Sequence, residues 1–222
     1  MCAAVVARDD VDLLMSMRSL KLLCATALLA LARAGELPGR PAGVIPPGVV
    51  PQPQSVTYPA AGGTVTLAAH FAFTATGQES AVLSAAFDRY GKLLAGGGAP
   101  DGAATGSAAG ALRACAVDVA LPALSLDLQT EESYTLDLGA AKCTITSETV
   151  YGALHGMETL VQLFQRPRLT APAVHIVDKP RFAFRATMID TARHYYPLRT
   201  ILQHLDAMAA VKMNVLHWHL PR

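Results

Sequence analysis

The densest chemistry in the chain follows one short apolar run: Asp190-Thr191-Ala192-Arg193-His194-Tyr195-Tyr196. A carboxylate, a guanidinium, an imidazole and two aromatics in one turn suit a sugar ligand. Aspartate and arginine bind ring hydroxyls through charge-assisted hydrogen bonds, and aromatic rings cover the apolar face of a pyranose. The same residues fit a plainer arrangement, an Asp190–Arg193 ion pair beneath a loop, and chemistry alone leaves both readings open. A second group lies at His217-Trp218-His219. Histidines two apart on a strand point to the same side. Such a pair can hold a metal, but no third ligand at fitting spacing accompanies it, so packing or hydrogen-bonded support beside a pocket fits better. Trp218 points the other way, toward core. The sequence contains no Gly-x-Ser-x-Gly elbow, no phosphate-cradling loop, no Cys–His arrangement and no acidic pair at the end of a later strand.

These residues need elements to position them. Arg185 to Ile189 is a short apolar run compatible with a buried parallel strand. Pro197 can sit in a first helical turn. Leu198 to Val211 then reads as a helix with Ile201, Leu202, Leu205 and Met208 inward, and Asn214 to Leu220 as a second strand. Together they form one β-α-β unit, whose chemistry belongs at the carboxyl ends of its strands. The residues after Ile189 and around His219 stand at those ends.

Upstream, Gly35 to Pro53 reads as an extended lead-in rich in proline and glycine. Thr64 to Thr74 is strand-like. A capping pair of Thr76 with Glu79 points to a helix over 79–94, with Val82, Ala86, Tyr90 and Leu93 on one face. Gly96 to Gly110 reads as a glycine- and alanine-rich surface loop. Leu112 to Val119, Tyr134 to Leu138 and Cys143 to Thr146 read as strands. Thr149 to Phe164 reads as a helix with Val150, Leu154, Met157, Val161 and Phe164 in one stripe. Hairpin-length connections predict a small α/β domain, an antiparallel sheet with helices on one face.

The chain has 222 residues, a net charge of +1 and a charged fraction of 16%. That balance argues against nucleic-acid binding, which needs a basic patch. From Met17 to about Gly35 the sequence has a basic start (Arg18, Lys21), an apolar run from Leu22 to Ala32 and a small-x-small site at Ala32-Arg33-Ala34. This is a signal-peptide pattern, and the apolar run is too short to span a bilayer, which takes roughly 20 residues. Cys2 and Cys24 would leave with that region. Cys115 and Cys143 remain, and either a disulfide or two buried thiols fits them.

Two stretches resemble family 20 glycoside hydrolases, the β-N-acetylhexosaminidases. Lys179 to Leu220 (KPRFAFRATMIDTARHYYPLRTILQHLDAMAAVKMNVLHWHL) is similar to the opening of their catalytic barrel. Ser133 to Gln165 (SYTLDLGAAKCTITSETVYGALHGMETLVQLFQ) is similar to the end of the α/β domain before it. QPQSVTY and AAFDRYGKLL fit the same domain more loosely. The resemblance implies an N-terminal extension and signal peptide over 1–34, a hexosaminidase-like α/β domain over 35–178, and over 179–222 the first β-α-β unit of a (β/α)8 TIM barrel.

It also implies an exo-acting hydrolase that removes terminal β-linked N-acetylglucosamine or N-acetylgalactosamine from glycoconjugates or chitin fragments, with no cofactor and no metal. The substrate's own acetamido oxygen attacks the anomeric carbon, an exception to the two-carboxylate retaining scheme. By the motif Asp-Thr-x-Arg-His-Tyr, Arg193 matches the family's hydroxyl-binding arginine. Asp190, His194 and His219 take supporting places in the pocket wall. Two departures accompany the match: Ala186 stands where many members have glycine, and Pro221-Arg222 replaces the acidic residues that follow the second strand. The family's catalytic Asp-Glu pair lies on a later strand, so these residues alone are expected to hydrolyse nothing. A non-catalytic secreted interaction or carbohydrate-binding module is the alternative. The implied setting is the secretory pathway, leading to lysosome, vacuole or exterior, with a homodimer as the full-length assembly to test.

Overall fold

Alternation along β5 (Tyr134–Leu138) shows how the larger sheet forms: Tyr134, Leu136 and Leu138 are buried while Asp137 faces out. The strands β6 (Cys143–Ser147) and β8 (Val174–Asp178) repeat that period of two, burying Cys143, Ile145 and Ser147, and Val174, Ile176 and Asp178. A computed structural model describes residues 3–4, 48–60, 63–95, 110–122, 126–164 and 170–220. The other elements are β1 (Ala3–Ala4), β2 (Ser55–Thr57), β3 (Thr64–Ala75), α1 (Ala81–Ala95), β4 (Leu112–Val119), α2 (Val150–Leu163), β7 (Thr170–Pro172), β9 (Ala186–Asp190), α3 (Leu198–Ala210) and β10 (Val215–His219). The expected signal segment, most of the glycine-rich loop and Pro221-Arg222 lie outside the described residues. Among those residues no helix is long and apolar enough to cross a membrane.

Seven strands form the first sheet, in the order β2-β8-β5-β6-β4-β3-β7. The chain is α/β as expected, but the sheet is mixed rather than antiparallel. β3 pairs parallel with β4, and β4 parallel with β6, while the β2-β8-β5-β6 side and the β3–β7 edge are antiparallel. The reason lies in the connections: β3 reaches β4 through α1, and a helical crossover returns the chain in the same direction. β2, β7 and β8 are additional to the strands that the sequence suggests.

Both α1 and α2 pack against this sheet and against each other. α1 begins later than expected. Ser80, not Thr76, caps it, its Oγ accepting the Leu83 amide at 3.1 Å, because the Thr76 amide is already bonded to the Val117 carbonyl in the sheet. The buried face is Leu83, Ala86, Tyr90 and Leu94, shifted from the expected stripe, and Leu93 is exposed. α2 is capped by Thr149, whose side chain accepts the Gly152 amide. It lies very close to the sheet: a Cβ on Gly156 would stand 2.6 Å from Ile145 Cγ2, and one on Gly152 would overlap the Ser133 carbonyl. Cys115 and Cys143, both buried, form a disulfide that joins β4 to β6.

The second sheet is parallel, in the order β1-β10-β9, with α3 crossing between β9 and β10. α3 buries Ile201 and Met208 as expected, whereas Leu202 is exposed. The unit meets the first sheet and its helices through polar contacts. Arg89 pairs with Asp206 at 2.7 Å, and Gln162 Nε2 donates to the Ala210 carbonyl at 2.8 Å.

Candidate functional site

The parallel register of β9 and β10 sets Asp190 directly beside His219, and Ile189 beside Trp218. The sequence folds this way because both strands end at the same level and the chain then turns sharply. Asp190 makes that turn: its Oδ1 accepts the backbone amides of Ala192 at 2.8 Å and Arg193 at 3.1 Å, the usual local use of an aspartate at a turn. The same oxygen lies 3.0 Å from His219 Nδ1. Thr191 locks the turn to the neighbouring strand, its amide donating to the His219 carbonyl at 3.2 Å. Its hydroxyl donates to that carbonyl and accepts the Trp218 indole N–H at 2.9 Å.

Arg193 stands above this turn with its side chain 64% exposed and its Nε 3.8 Å from Asp190 Oδ2. At that separation the pair is a loose electrostatic contact, so most of the guanidinium's donors face solvent. Tyr195 is 86% exposed and His194 is exposed. Of the residues singled out by sequence, the fold therefore brings together Asp190, Arg193 and His219. His194, also among the described residues, makes no hydrogen bond or ion pair to them. His217 occupies the alternate strand position that places it on the His219 side. No group of three or more His, Cys, Asp or Glu suited to a metal ion occurs among the described residues.

Desolvation raises the Asp190 carboxyl, but the hydrogen bond from His219 and the amides of Arg193 and Ala192 outweigh it and hold the group below the usual carboxylate range. A carboxyl held ionised is an acceptor for hydroxyls and a poor proton donor. The strand ends can thus grip a polyol from one side, with Asp190 accepting and Arg193 donating.

A second polar region, missed by sequence reasoning, lies at the opposite, amino ends of the same strands. Arg185, just before β9, forms a two-pronged pair with Glu132: Nη1 to Oε2 at 2.8 Å and Nη2 to Oε1 at 2.9 Å. His155 Nε2 approaches Glu132 at 3.4 Å. Burial pushes the Glu132 carboxyl up, but His155 and Arg185 more than reverse this and bring it down to about 2. Burial also lowers the His155 imidazole, which favours its neutral form. Beside this group, Lys212 donates to Asp178 and to the Tyr134 hydroxyl, each at 2.9 Å. One signal in the sequence could have found it. Asp178 falls at an inward position of a strand whose other inward residues are Val174 and Ile176, and an inward carboxylate needs a partner.

A cavity of about 390 Å³ lies between α1, α2 and the end of α3, lined by Val82, Tyr90, Leu154, His155, Ala209 and Met213 among others. Glu132 and Asn214 also border it, which places it at the amino ends of the strands, away from Asp190 and Arg193.

Comparison with known proteins adds an independent line. Residues 182–221 match the family model described as "Glycosyl hydrolase family 20, catalytic domain", and residues 49–163 match "beta-acetyl hexosaminidase like". The rat beta-hexosaminidase subunit alpha is 45% identical over 97 residues, covering 42% of this chain and 18% of that protein. Beta-hexosaminidase 1 of Arabidopsis thaliana is 44% identical over 110 residues, covering 43% and 20%. Among solved structures, the Flavobacterium johnsoniae chitobiase aligns with a TM-score of 0.64 at 31% identity, over 80% of this chain and 27% of that one. The Streptomyces plicatus N-acetyl-beta-hexosaminidase in complex with Thio-NAglucal aligns with a TM-score of 0.57 at 26% identity, over 82% and 36%. The aligned part thus spans about a fifth of the two curated relatives and about a third of the two solved chains.

Proposed function

The chain belongs to glycosyl hydrolase family 20, and from that membership we propose that it forms part of an exo-β-N-acetylhexosaminidase, contributing the hydroxyl-gripping wall of its sugar site. The observation that carries this reading is the Asp190–Arg193–His219 group at the carboxyl ends of two parallel strands, the place where barrel enzymes do their chemistry. Arg193 donates to ring hydroxyls of a terminal β-linked N-acetylglucosamine or N-acetylgalactosamine. Asp190 and His219 hold the turn that presents it, and His194 and the aromatic Tyr195 border the ligand.

Under this proposal the division between the α/β domain and the barrel falls between residues 178 and 179. The substrate-assisted retaining step needs a carboxylate to orient the acetamido group and an acid to protonate the leaving oxygen. Among the described residues of the β-α-β unit the carboxylates are Asp190 and Asp206. Asp190 is held ionised by its neighbours, and Asp206 pairs with Arg89 on the helix. These residues therefore bind sugar without supplying the acid. The secretory route, toward lysosome, vacuole or exterior, goes with the same reading, and the Cys115–Cys143 disulfide supports it.

The test compares two proteins on a chromogenic β-N-acetylglucosaminide: the 222-residue chain, and the product of the transcript read onward past the codon for Leu220. Turnover by the long product alone supports the proposal. A transcript that stops after Arg222, with no turnover, moves the chain to a non-catalytic carbohydrate-binding role. Turnover by the short chain overturns the assignment of the acid to another part of the protein.

A further inference from the structure

Lys212 is the non-glycine residue with a left-handed backbone among the described residues, at φ 58°. It follows the end of α3, where glycine is the usual occupant because a Cβ is disfavoured in that conformation. Its local backbone bonds, the amide to the Ala209 carbonyl at 3.1 Å and its own carbonyl to Arg185 Nε at 2.7 Å, would be made equally well by glycine. The side chain must therefore account for the residue.

That side chain is 4% exposed and enters the first unit. Its ammonium donates to Asp178 Oδ2 and to the Tyr134 hydroxyl, and lies 4.8 Å from the centre of the Tyr134 ring. The Tyr134 hydroxyl in turn donates to Asp178 Oδ2 and meets the Thr159 hydroxyl at 2.7 Å. The other Asp178 oxygen accepts the Gln54 amide. Lys212 alone in this closed network comes from the β-α-β unit. Stability by itself does not require such a pair, since well-packed apolar residues often replace a buried ion pair without loss.

Position explains it better. Arg185 and Lys212 precede β9 and β10, and the Arg185 carbonyl accepts the amides of Asn214 and Val215. The ammonium therefore pins the level at which β10 starts, and the ladder transmits that level to β9. A slip of one residue along β10 would turn His219 and Trp218 each to the face the other now occupies and would pull the ammonium from its partners. We infer that Lys212 is a positioning residue: its buried ammonium, seated on Asp178 and Tyr134, sets the height and register of β10 and so places Asp190, Arg193 and His219. This rests on the reading of those carboxyl ends as the sugar-facing site.

The experiment uses the 222-residue chain and its one tryptophan. Trp218 reports on the site through the indole N–H bond to Thr191. Lys212→Met combined with Asp178→Leu removes both charges. The expected result is a folded protein with a melting temperature close to the parent's, whose indole proton exchanges with solvent about tenfold faster or more. Lys212→Gly, which relieves the backbone while removing the ammonium, should show the same acceleration. An unchanged exchange rate in the folded double variant overturns the inference and leaves the pair a purely structural contact. Should the double variant not fold, native-state exchange of the unmutated chain decides. The amides of Thr191, Asn214 and Val215 must open together with those of β5, and independent, faster opening of the β9–β10 ladder overturns the inference. Failure of the sugar reading would show differently, as a Trp218 signal in the parent that does not respond to N-acetylglucosamine.

Discussion

The two ends of β9 and β10 use the same residue types for opposite purposes. At the carboxyl ends Asp190 and Arg193 share one short turn, His219 stands beside it on the neighbouring strand, and all three come from one unit and keep exposed side-chain surface. At the amino ends Glu132, Arg185, Asp178 and Lys212 come from two units, are mostly buried and are bonded in pairs, with further hydrogen bonds to their surroundings inside the protein. A charged group with an exposed, loosely paired head is available to a ligand. One with every bond committed inside the protein can only hold its neighbours in place. Burial and partner count, rather than residue type, separate groups left open to solvent from groups that anchor here.

The sharpest way to break the contrast is to remove one partner at the anchored end. Arg185→Met leaves the Glu132 carboxylate buried without its two-pronged donor, and loss of one member of such a pair costs about 3–5 kcal/mol. Urea unfolding should show that loss as a lower midpoint. A change no larger than that of an ordinary surface substitution would mean that solvent reaches Glu132 and that the amino end is not an anchor.

Acid should distinguish the two ends next. Glu132 has its folded-state carboxyl lowered from 4.5 to about 2. Between those values the unfolded chain binds the proton that the folded chain refuses, so stability rises with pH there. The Glu132 contribution is complete above about 4.5 and is lost as pH falls through about 2. His155, also lowered, adds a separate loss as pH falls below its ordinary value of 6.5. Stability measured against pH in Glu132→Gln should lack the lower limb and keep the upper one. Persistence of the lower limb would assign it to another carboxylate.

The contrast also explains what the sequence disclosed. β4 and β5 read directly from their alternation, with bounds that the structure reproduces. β2 and β7 are three residues each, too short for a period to show, and β7 ends in proline. The α1 stripe was displaced because Val82 and Leu83, and Leu93 and Leu94, are adjacent apolar pairs, and only packing decides which member turns inward. Asp190, Arg193 and His219 were legible because they flank strand ends that the pattern locates. Lys212 meets Asp178 across 34 positions and Tyr134 across 78, and no local signal encodes such a meeting. The mixed sheet was hidden for the same reason, since strand direction follows from crossovers and not from strand composition.

A smaller effect is expected at Asp190. Asn in its place keeps an oxygen for the amides of Ala192 and Arg193 while losing the charge that faces His219 and Arg193. The His219 imidazole signals should move in the NMR spectrum with little change in the melting temperature. Unmoved signals would mean that the Asp190–His219 contact is absent in solution.

Arg193 offers the smallest effect on stability and the most informative one on function. Its side chain is 64% exposed and its one ion pair is long, so Arg193→Ala and Arg193→Lys should both melt with the parent. Their sugar affinities should not be equal. Arginine presents a planar fork of donors that can bridge two ring hydroxyls, whereas lysine presents a compact charge without that geometry. A hydrogen bond to a charged group is worth enough that its loss weakens binding by about tenfold or more. Titration of N-acetylglucosamine, followed by Trp218 fluorescence, should therefore rank the parent above Lys and Lys above Ala. Equal affinities in all three would make Arg193 a companion of Asp190 and nothing more. In that event the open end of the strands, like the closed end, would hold charge for the sake of the fold.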